Sequence, residues 1–381
     1  MTGRVYLDWN ATAPLRPEAR AAMLAAMDAV GNPSSVHAEG RAAWAIVERA
    51  RMQVARLAGC DPDGVIFTSG ATEANRMALG GGAGDVFWAA TEHDSVAAVA
   101  ERCAARHEAL AVDRDGRIRA DHPLFAGGLD AGGPAGERRL ALAPACGETG
   151  VTQDVAPLYA RARAARAAAH ADATQAIGRV GFDFAASGAA TAALSAHKLG
   201  GPKGVGALLT GGAPGAAPAP LLVGGGQERG RRAGTPNVIG VAGFGAAAEA
   251  ALRDLDQGLW SRVERLRNIL EDRLAASAPD AIIVGAGVAR LPNTTCVVVP
   301  GWRGETQVMQ LDLAGFAVSA GAACSSGKAA PSRALRAMGH DDVAAASAIR
   351  VSLGPTTAEQ DVLRFADAWT ALYARRRRVA A

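Results

Sequence analysis

Between residues 65 and 172 the chain alternates short runs of β-forming residues with segments of helix length. Val65–Thr68 precedes Thr72–Leu79, Val86–Ala89 precedes Ser95–Arg106, and Arg139–Ala143 precedes Val155–Ala165, with Ala168–Asp172 closing the series. Strands joined by helical crossovers pair in parallel, and the crossing helices cover both faces of the sheet. An α/β architecture with a mainly parallel sheet follows. Ligands of such sheets gather at the carboxyl ends of the strands. Helix-start signals agree with this spacing, notably Pro17 before Glu18 and Thr68-Ser69-Gly70 before Ala71.

Gly- and Pro-rich connectors at 211–220 and 224–226 interrupt the rhythm, and one long helical pattern spans Val238–Leu274. Beyond it the β-type runs resume at Ile282–Val284, Thr294–Val299 and Ile349–Leu353. At 381 residues the chain exceeds what one hydrophobic core usually serves, which places a domain boundary near residue 253. Hydrophobic residues at 49% and charged residues at 20% describe a soluble globular protein. A net charge of +3 does not argue for nucleic acid, and the basic run Arg375–Arg378 reads as a solvated tail.

The five cysteines are odd in number, widely spread, and form no zinc-site spacing, so a reducing compartment and no metal are expected. The opening MTGRVYLDWN lacks the pattern of a secretory signal, and no run of about 18 uninterrupted apolar residues occurs. A cytoplasmic protein without a membrane partner is the expectation.

"SAHKLGGPKGVG", residues 195–206, sets Lys198 between a histidine and glycines. A phosphate-loop reading fails because Leu199, not a hydroxyl residue, follows the lysine. Two readings stand on this segment alone: a surface lysine at a strand end, or a desolvated amine that forms a Schiff base with an aldehyde such as pyridoxal phosphate.

That cofactor makes three demands. Its ring nitrogen needs a carboxylate, and Asp172 ends a β-type run with Gln175 three residues on; an N-cap role is the alternative. Its phosphate needs donors at a helix start, and "TSGATE" offers Gly70, Ala71 and the Thr72 hydroxyl, with Ser195 and His197 available beside the lysine. Its ring face needs a flat partner, and His93 follows the Val86–Ala89 run, where it also suits an N-cap.

Arg350 alternates with Ile349, Val351 and Leu353, so it points to the face opposite them; a substrate carboxylate or a structural salt bridge would satisfy it. Cys324, in "SAGAACSSGK", lies among small and polar residues and reads as an accessible loop thiol, or as an incidental one.

With these residues in hand, the chain closely resembles the cysteine desulfurases of the class V aminotransferase group, enzymes of pyridoxal-phosphate fold type I. The resemblance runs nearly end to end through "YLDWNATAP", "GNPSSVHAEG", "FTSGATEAN", "TEHDSV", "ETGVTQD", "HADATQAIG", "SAHKLGGPKGVGAL", "GGGQERGRRAGTPN", "SAGAACSSGKAAPS" and "IRVSLGP", in that order. It implies a large domain of mainly parallel sheet at 15–252 and a smaller α+β domain from 1–14 and 253–381. Lys198 would hold pyridoxal 5'-phosphate covalently, Asp172 would pair with the pyridine nitrogen, Gln175 with the ring hydroxyl, and His93 would stack on the ring and move protons. Thr72, Ser195 and His197 would hold the phosphate, joined by Thr235 from the second subunit of a homodimer. Asn32 and Arg350 would grip the carboxylate of L-cysteine, and Cys324 would accept its sulfur, leaving L-alanine. The segment after Cys324 resembles the longer-loop subgroup serving iron–sulfur and nitrogenase-type systems.

Two departures stand out. Members usually carry two asparagines before the glutamate of "ETG", where this chain has Cys146 and Gly147. Position 147 therefore supplies no side-chain hydrogen bond, a loss of about 1 kcal/mol that tunes rather than abolishes activity. The sequence also ends at "YARRRRVAA", without the tail some members use to dock a scaffold, which leaves a scaffold or sulfur-acceptor partner open. A selenocysteine lyase, an aminotransferase of the same fold, and a weakened sulfur-relay partner are the competing readings.

Overall fold

A computed structural model of the chain describes residues 3–81, 84–126, 138–211, 218, 220–321 and 331–380. The chain enters through a short strand, β1 (Val5–Tyr6), and then builds β2 (Val65–Thr68), β3 (Asp85–Ala89), β4 (Arg106–Leu110), β5 (Arg138–Ala141), β6 (Ala167–Asp172), β7 (Thr191–Ser195) and β8 (Gly206–Thr210). Among the described residues the last seven form one sheet in the order β2-β8-β7-β6-β5-β3-β4. The pairs β3/β4, β3/β5, β5/β6 and β6/β7 are parallel, while β8 runs antiparallel to both of its neighbours.

Strands β2, β7 and β8 are buried almost throughout, as their near-continuous apolar runs require. Edge strand β4 is polar and exposed over its first four residues; the sequence pattern predicts no strand there and instead extends the Ser95–Arg106 helix onto its first residue. That helix spans Asp94–Cys103.

The single helix expected over Val238–Leu274 is two helices, Val238–Asp256 and Leu259–Ser277, separated at Gly258, whose φ of 65° is left-handed and ends helical geometry. The first packs against the Pro17–Met27 and Ala38–Ala58 helices. The second covers another sheet, made of β9 (Ile282–Ile283), β10 (Thr294–Val298), β12 (Ser319–Ala320) and β13 (Ala348–Ser352) in the antiparallel order β12-β13-β10-β9. Strand β11 (Phe316–Ala317) pairs in parallel with β1.

Two large apolar clusters result. One gathers residues between Ala19 and Ala251 around the seven-stranded sheet; the other joins Val5 and Leu7 to residues between Trp260 and Tyr373. Residues 7–16 cross from one body to the other. Leu7 N–H bonds Ala317 at 2.9 Å, Ala13 N–H bonds the His197 carbonyl at 2.9 Å, and Arg16 N–H bonds Gly200 at 2.8 Å. The crossing lays Asn10 and Ala11 along the turn that carries Lys198.

Candidate active site

A cavity of about 580 Å³ opens at the carboxyl ends of β2, β3, β5, β6 and β7. It brings together Gly70, Ala71, Thr72, His93, Asp172, Gln175, Ser195, His197 and Lys198, contributed by four separate stretches of sequence. Lys198 sits on the 3-10 turn Ala196–Lys198 that follows β7, and its Nζ donates to the carbonyls of Asn10 at 2.5 Å and Ala11 at 2.9 Å.

Asp172 ends β6 and is buried. Its Oδ1 accepts from Thr174 N–H at 3.1 Å and its Oδ2 from Asn75 Nδ2 at 3.0 Å. His197 bonds Thr12 Oγ1 through Nδ1 at 3.2 Å. Burial, followed by the nearby cations Lys198, Lys203 and Arg179, pushes its pKa down to about 4, so its imidazole is neutral near pH 7.

The Ala71–Leu79 helix begins at Gly70 with no side-chain cap. Its first-turn N–H groups therefore face the cavity without a local acceptor. Gly206 of β8 makes this approach possible, because a Cβ there would lie 2.6 Å from Gly70 Cα and 2.5 Å from the Leu194 carbonyl.

Gln175 is oriented from below. Its Oε1 accepts from Arg179, a guanidinium without acceptor capacity, so its Nε2 faces the Asn10 carbonyl at 3.1 Å. A Cβ at Gly147 would stand 2.9 Å from both Gln175 Cγ and Nε2. The space a side chain at 147 would take belongs to Gln175.

Arg350, on β13, lies behind this wall. Its Nη2 pairs with Asp8 Oδ1 at 2.9 Å and its Nη1 donates to the Gly147 carbonyl at 3.1 Å, while Nε is buried without a partner. The salt-bridge alternative raised by the sequence is thus realised here, with Nε left over. Asn32 is exposed and outside the cavity, its Oδ1 accepting from Ser34 N–H at 2.9 Å. Thr235 is exposed and does not line the cavity of its own chain. Cys324 lies outside the described residues.

Several residues escaped the sequence reading. Asn10, Asn75 and Arg179 are buried polar groups of the site, and Glu92, on the cavity wall, leaves Oε2 buried without a partner. Burial pushes the Glu92 pKa up to about 8. Position alone gave one signal: Asn75 lies three residues after Thr72, on the same face of the helix.

The donor set suits an anionic aldehyde. Uncapped helix N–H groups match a phosphate, a carboxylate matches a pyridinium, and Lys198 supplies the amine. Thr174 Oγ1, on the cavity wall, is a further buried polar atom without a partner. Together the two-body α/β architecture and this site define a pyridoxal-phosphate protein of fold type I.

The chain belongs to the class-V aminotransferase family, whose model matches residues 5–365. It is 42% identical to a cysteine desulfurase of Frankia sp. (strain EuIK1), covering 95% of this chain and 90% of that protein. It is 41% identical to a cysteine desulfurase of Cereibacter sphaeroides, covering 95% and 93%. The structure of a NifS-like protein from Rickettsia africae ESF-5 superimposes with a TM-score of 0.89 at 30% identity, covering 97% of this chain and 99% of that one. Among the described residues no helix is long and apolar enough to cross a membrane.

Proposed function

We propose that the chain is a pyridoxal-phosphate-dependent cysteine desulfurase that converts L-cysteine to L-alanine and passes the sulfur to its own Cys324. The observation that carries this reading is the convergence of Lys198, Asp172 and an uncapped helix start on one cavity, in a chain similar over nearly its whole length to cysteine desulfurases.

Lys198, Asp172, Gln175, Ser195, His197 and the Gly70–Thr72 turn hold the cofactor. When bound, pyridoxal phosphate supplies an aldehyde and an electron-withdrawing ring that stabilises negative charge at the substrate Cα. Asp172 keeps the ring nitrogen protonated, and neutral His197 donates to phosphate without competing for charge. His93 covers the ring and moves protons. Asn32 and Arg350 receive the substrate carboxylate, Arg350 by exchanging part of its Asp8 pairing. In the sulfur step the substrate Cβ–S bond breaks, an S–S bond forms at Cys324, and Cβ takes up hydrogen, so no external oxidant is needed.

The chain acts as a homodimer in which Thr235 reaches the phosphate of the partner's cofactor. Exposed Val36, Trp44 and Val223, at 88%, 54% and 80% exposure, support a covered face near that segment. We assign the large domain to 15–252, the cytoplasm as location, and a sulfur-acceptor protein as recipient in iron–sulfur assembly.

The test is incubation of purified chain with cysteine and a reductant, measuring alanine, sulfide and the visible spectrum together. Equal alanine and sulfide are expected. A keto acid product indicates an aminotransferase, and turnover of selenocysteine alone indicates a lyase for that amino acid. Lys198→Ala should lose the visible band. Cys324→Ala should keep the band and form no persulfide, and alanine production at the wild-type rate would remove Cys324 from the reaction.

A further inference from the structure

At and behind the cavity wall, six side chains form a hydrogen-bond network whose direction can be assigned atom by atom. It starts from Asp172, which as a carboxylate only accepts. The NH2 of Asn75 must therefore face it, and does so at 3.0 Å. The second Nδ2 hydrogen goes to Ser95 Oγ at 2.9 Å, which leaves Asn75 Oδ1 to accept from His170 Nε2 at 2.8 Å. His170 thus carries its proton on Nε2, and its Nδ1 accepts from the Thr191 hydroxyl at 2.9 Å. Burial pushes the His170 pKa down to about 4, which keeps that ring neutral.

The other branch ends at His93. Its Nδ1 receives the Ser95 backbone N–H at 3.1 Å and lies 2.8 Å from Ser95 Oγ. A ring nitrogen facing a backbone donor carries no proton of its own. The Ser95 hydroxyl, accepting from Asn75, therefore turns its hydrogen to the same nitrogen, and the His93 proton sits on Nε2. Asn75 itself is fully buried, with both hydrogens and its oxygen committed.

We propose that Asn75 is a positioning residue that fixes the Asp172 carboxylate and, through Ser95, the tautomer of His93, so that one amide sets both residues assigned to the cofactor ring. The assignment of those two residues to a ring rests on the function proposed above. The hydrogen-bond direction does not, and it can be read without the cofactor.

The experiment is the imidazole 15N spectrum of the full chain labelled in histidine, recorded at one pH with and without pyridoxal phosphate; His93 is assigned by its loss in His93→Gln. In the wild type, His93 should show Nε2 protonated and Nδ1 as a bare acceptor; the opposite tautomer overturns the proposal. Asn75→Asp keeps the shape but turns a donor into an acceptor, so the Ser95 hydroxyl should swing to it, Nδ1 should lose that hydrogen bond, and its resonance should move further from the protonated range. The same substitution in a Ser95→Ala background should leave Nδ1 where Ser95→Ala alone puts it. A shift that persists there reports the added charge rather than the hydroxyl and overturns the proposal, as does no shift at all.

If Asn75→Asp does not fold, Asn75→Ala carries the test. It removes the donor and should displace or broaden the Nδ1 resonance, whereas an unchanged resonance counts against the proposal. A wild-type chain that shows the tautomer but develops no visible band with pyridoxal phosphate defeats the cofactor reading and leaves the hydrogen-bond assignment standing.

Discussion

Arg179 donates through Nη2 to the backbone carbonyl of Lys198 at 3.3 Å, from a position that is 3% exposed. Its other donors go to Asn10 Oδ1 at 3.0 Å, the Trp9 carbonyl at 3.4 Å, and the carbonyl and amide oxygen of Gln175. Among the described residues no carboxylate lies within salt-bridge distance of it. Burial, with Arg350 adding repulsion, pulls its pKa down to about 9, which still leaves the guanidinium charged at neutral pH. An uncompensated buried cation is costly unless its geometry is put to use. Here it fixes the Lys198 turn, the crossing segment at Trp9 and Asn10, and the Gln175 amide at once.

Arg179→Met should therefore change cofactor retention more than stability. Loss of the charge relieves desolvation while loss of the donors frees the Gln175 amide to rotate, and these two effects oppose each other in the folding free energy. Pyridoxal phosphate affinity, measured by equilibrium dialysis, should weaken by about tenfold, equivalent to about 1.4 kcal/mol. Unchanged affinity would show that Gln175 holds its orientation without help.

Glu228 anchors a different segment. It takes both Nη atoms of Arg51 at 2.8 Å and the Phe67 N–H at 3.0 Å, while Glu228 and Arg229 adopt left-handed φ values of 47° and 58°. Non-glycine residues there are strained unless surrounding contacts hold them. Glu228→Ala should cost about 3 kcal/mol, the low end for breaking a buried pair, because Arg51 keeps Glu48 at 3.0 Å and the Val65 carbonyl at 2.7 Å. Urea unfolding measures this, and a loss below about 1 kcal/mol would refute the anchoring role.

Much of this was legible in the sequence, and the failures have physical causes. Strand β2 matches the sequence reading at both ends, because Val-Ile-Phe-Thr is buried on both faces and bounded by turn residues. Asp172 and Lys198 stood out because their neighbours are small or apolar. Strand β4 was missed because "RHEAL" at a solvated edge carries no alternation, and Gly258 was passed over because an isolated glycine does not always end a helix. Asn10, Asn75 and Arg179 gave too little signal because their partners come from remote segments. Asn10 lies 283 residues from Asn293, to which it is bonded. Only the folded chain shows that such a residue is buried with every atom used.

Stability should depend on pH through groups with opposite signs. Glu92 rises from 4.5 to about 8 on folding, so its contribution is complete below 4.5 and is lost as pH rises through about 8. His170 and His197 fall from 6.5 to about 4, so theirs is complete above 6.5 and is lost as pH falls through about 4. Together these three groups place a maximum near pH 6.5 for the cofactor-free chain. Glu92→Gln should remove the decline above it, a slope of about 1.4 kcal/mol per pH unit for this group. Denaturant midpoints across the range test this, and an alkaline decline that survives the substitution would assign it to other groups.

Gly147→Ala tests whether the space beside Gln175 is truly committed. Gly147 does not occupy the left-handed region, so an alanine there strains no backbone angle, and its carbonyl can keep the bonds from Arg350 at 3.1 Å and Asn10 at 3.1 Å. The added methyl instead meets the Gln175 side chain at 2.9 Å. To escape, Gln175 must give up its bond to the Asn10 carbonyl or its bond from Arg179, a loss of about 1–3 kcal/mol for a mixed neutral and charged pair. In a Gln175→Ala background the three atoms nearest the methyl are gone, and the same substitution should cost less than about 0.5 kcal/mol. A urea-unfolding cycle over the four proteins isolates this coupling. Equal costs in the two backgrounds would mean that the two positions do not compete, and that Gly147 owes its identity to some other contact.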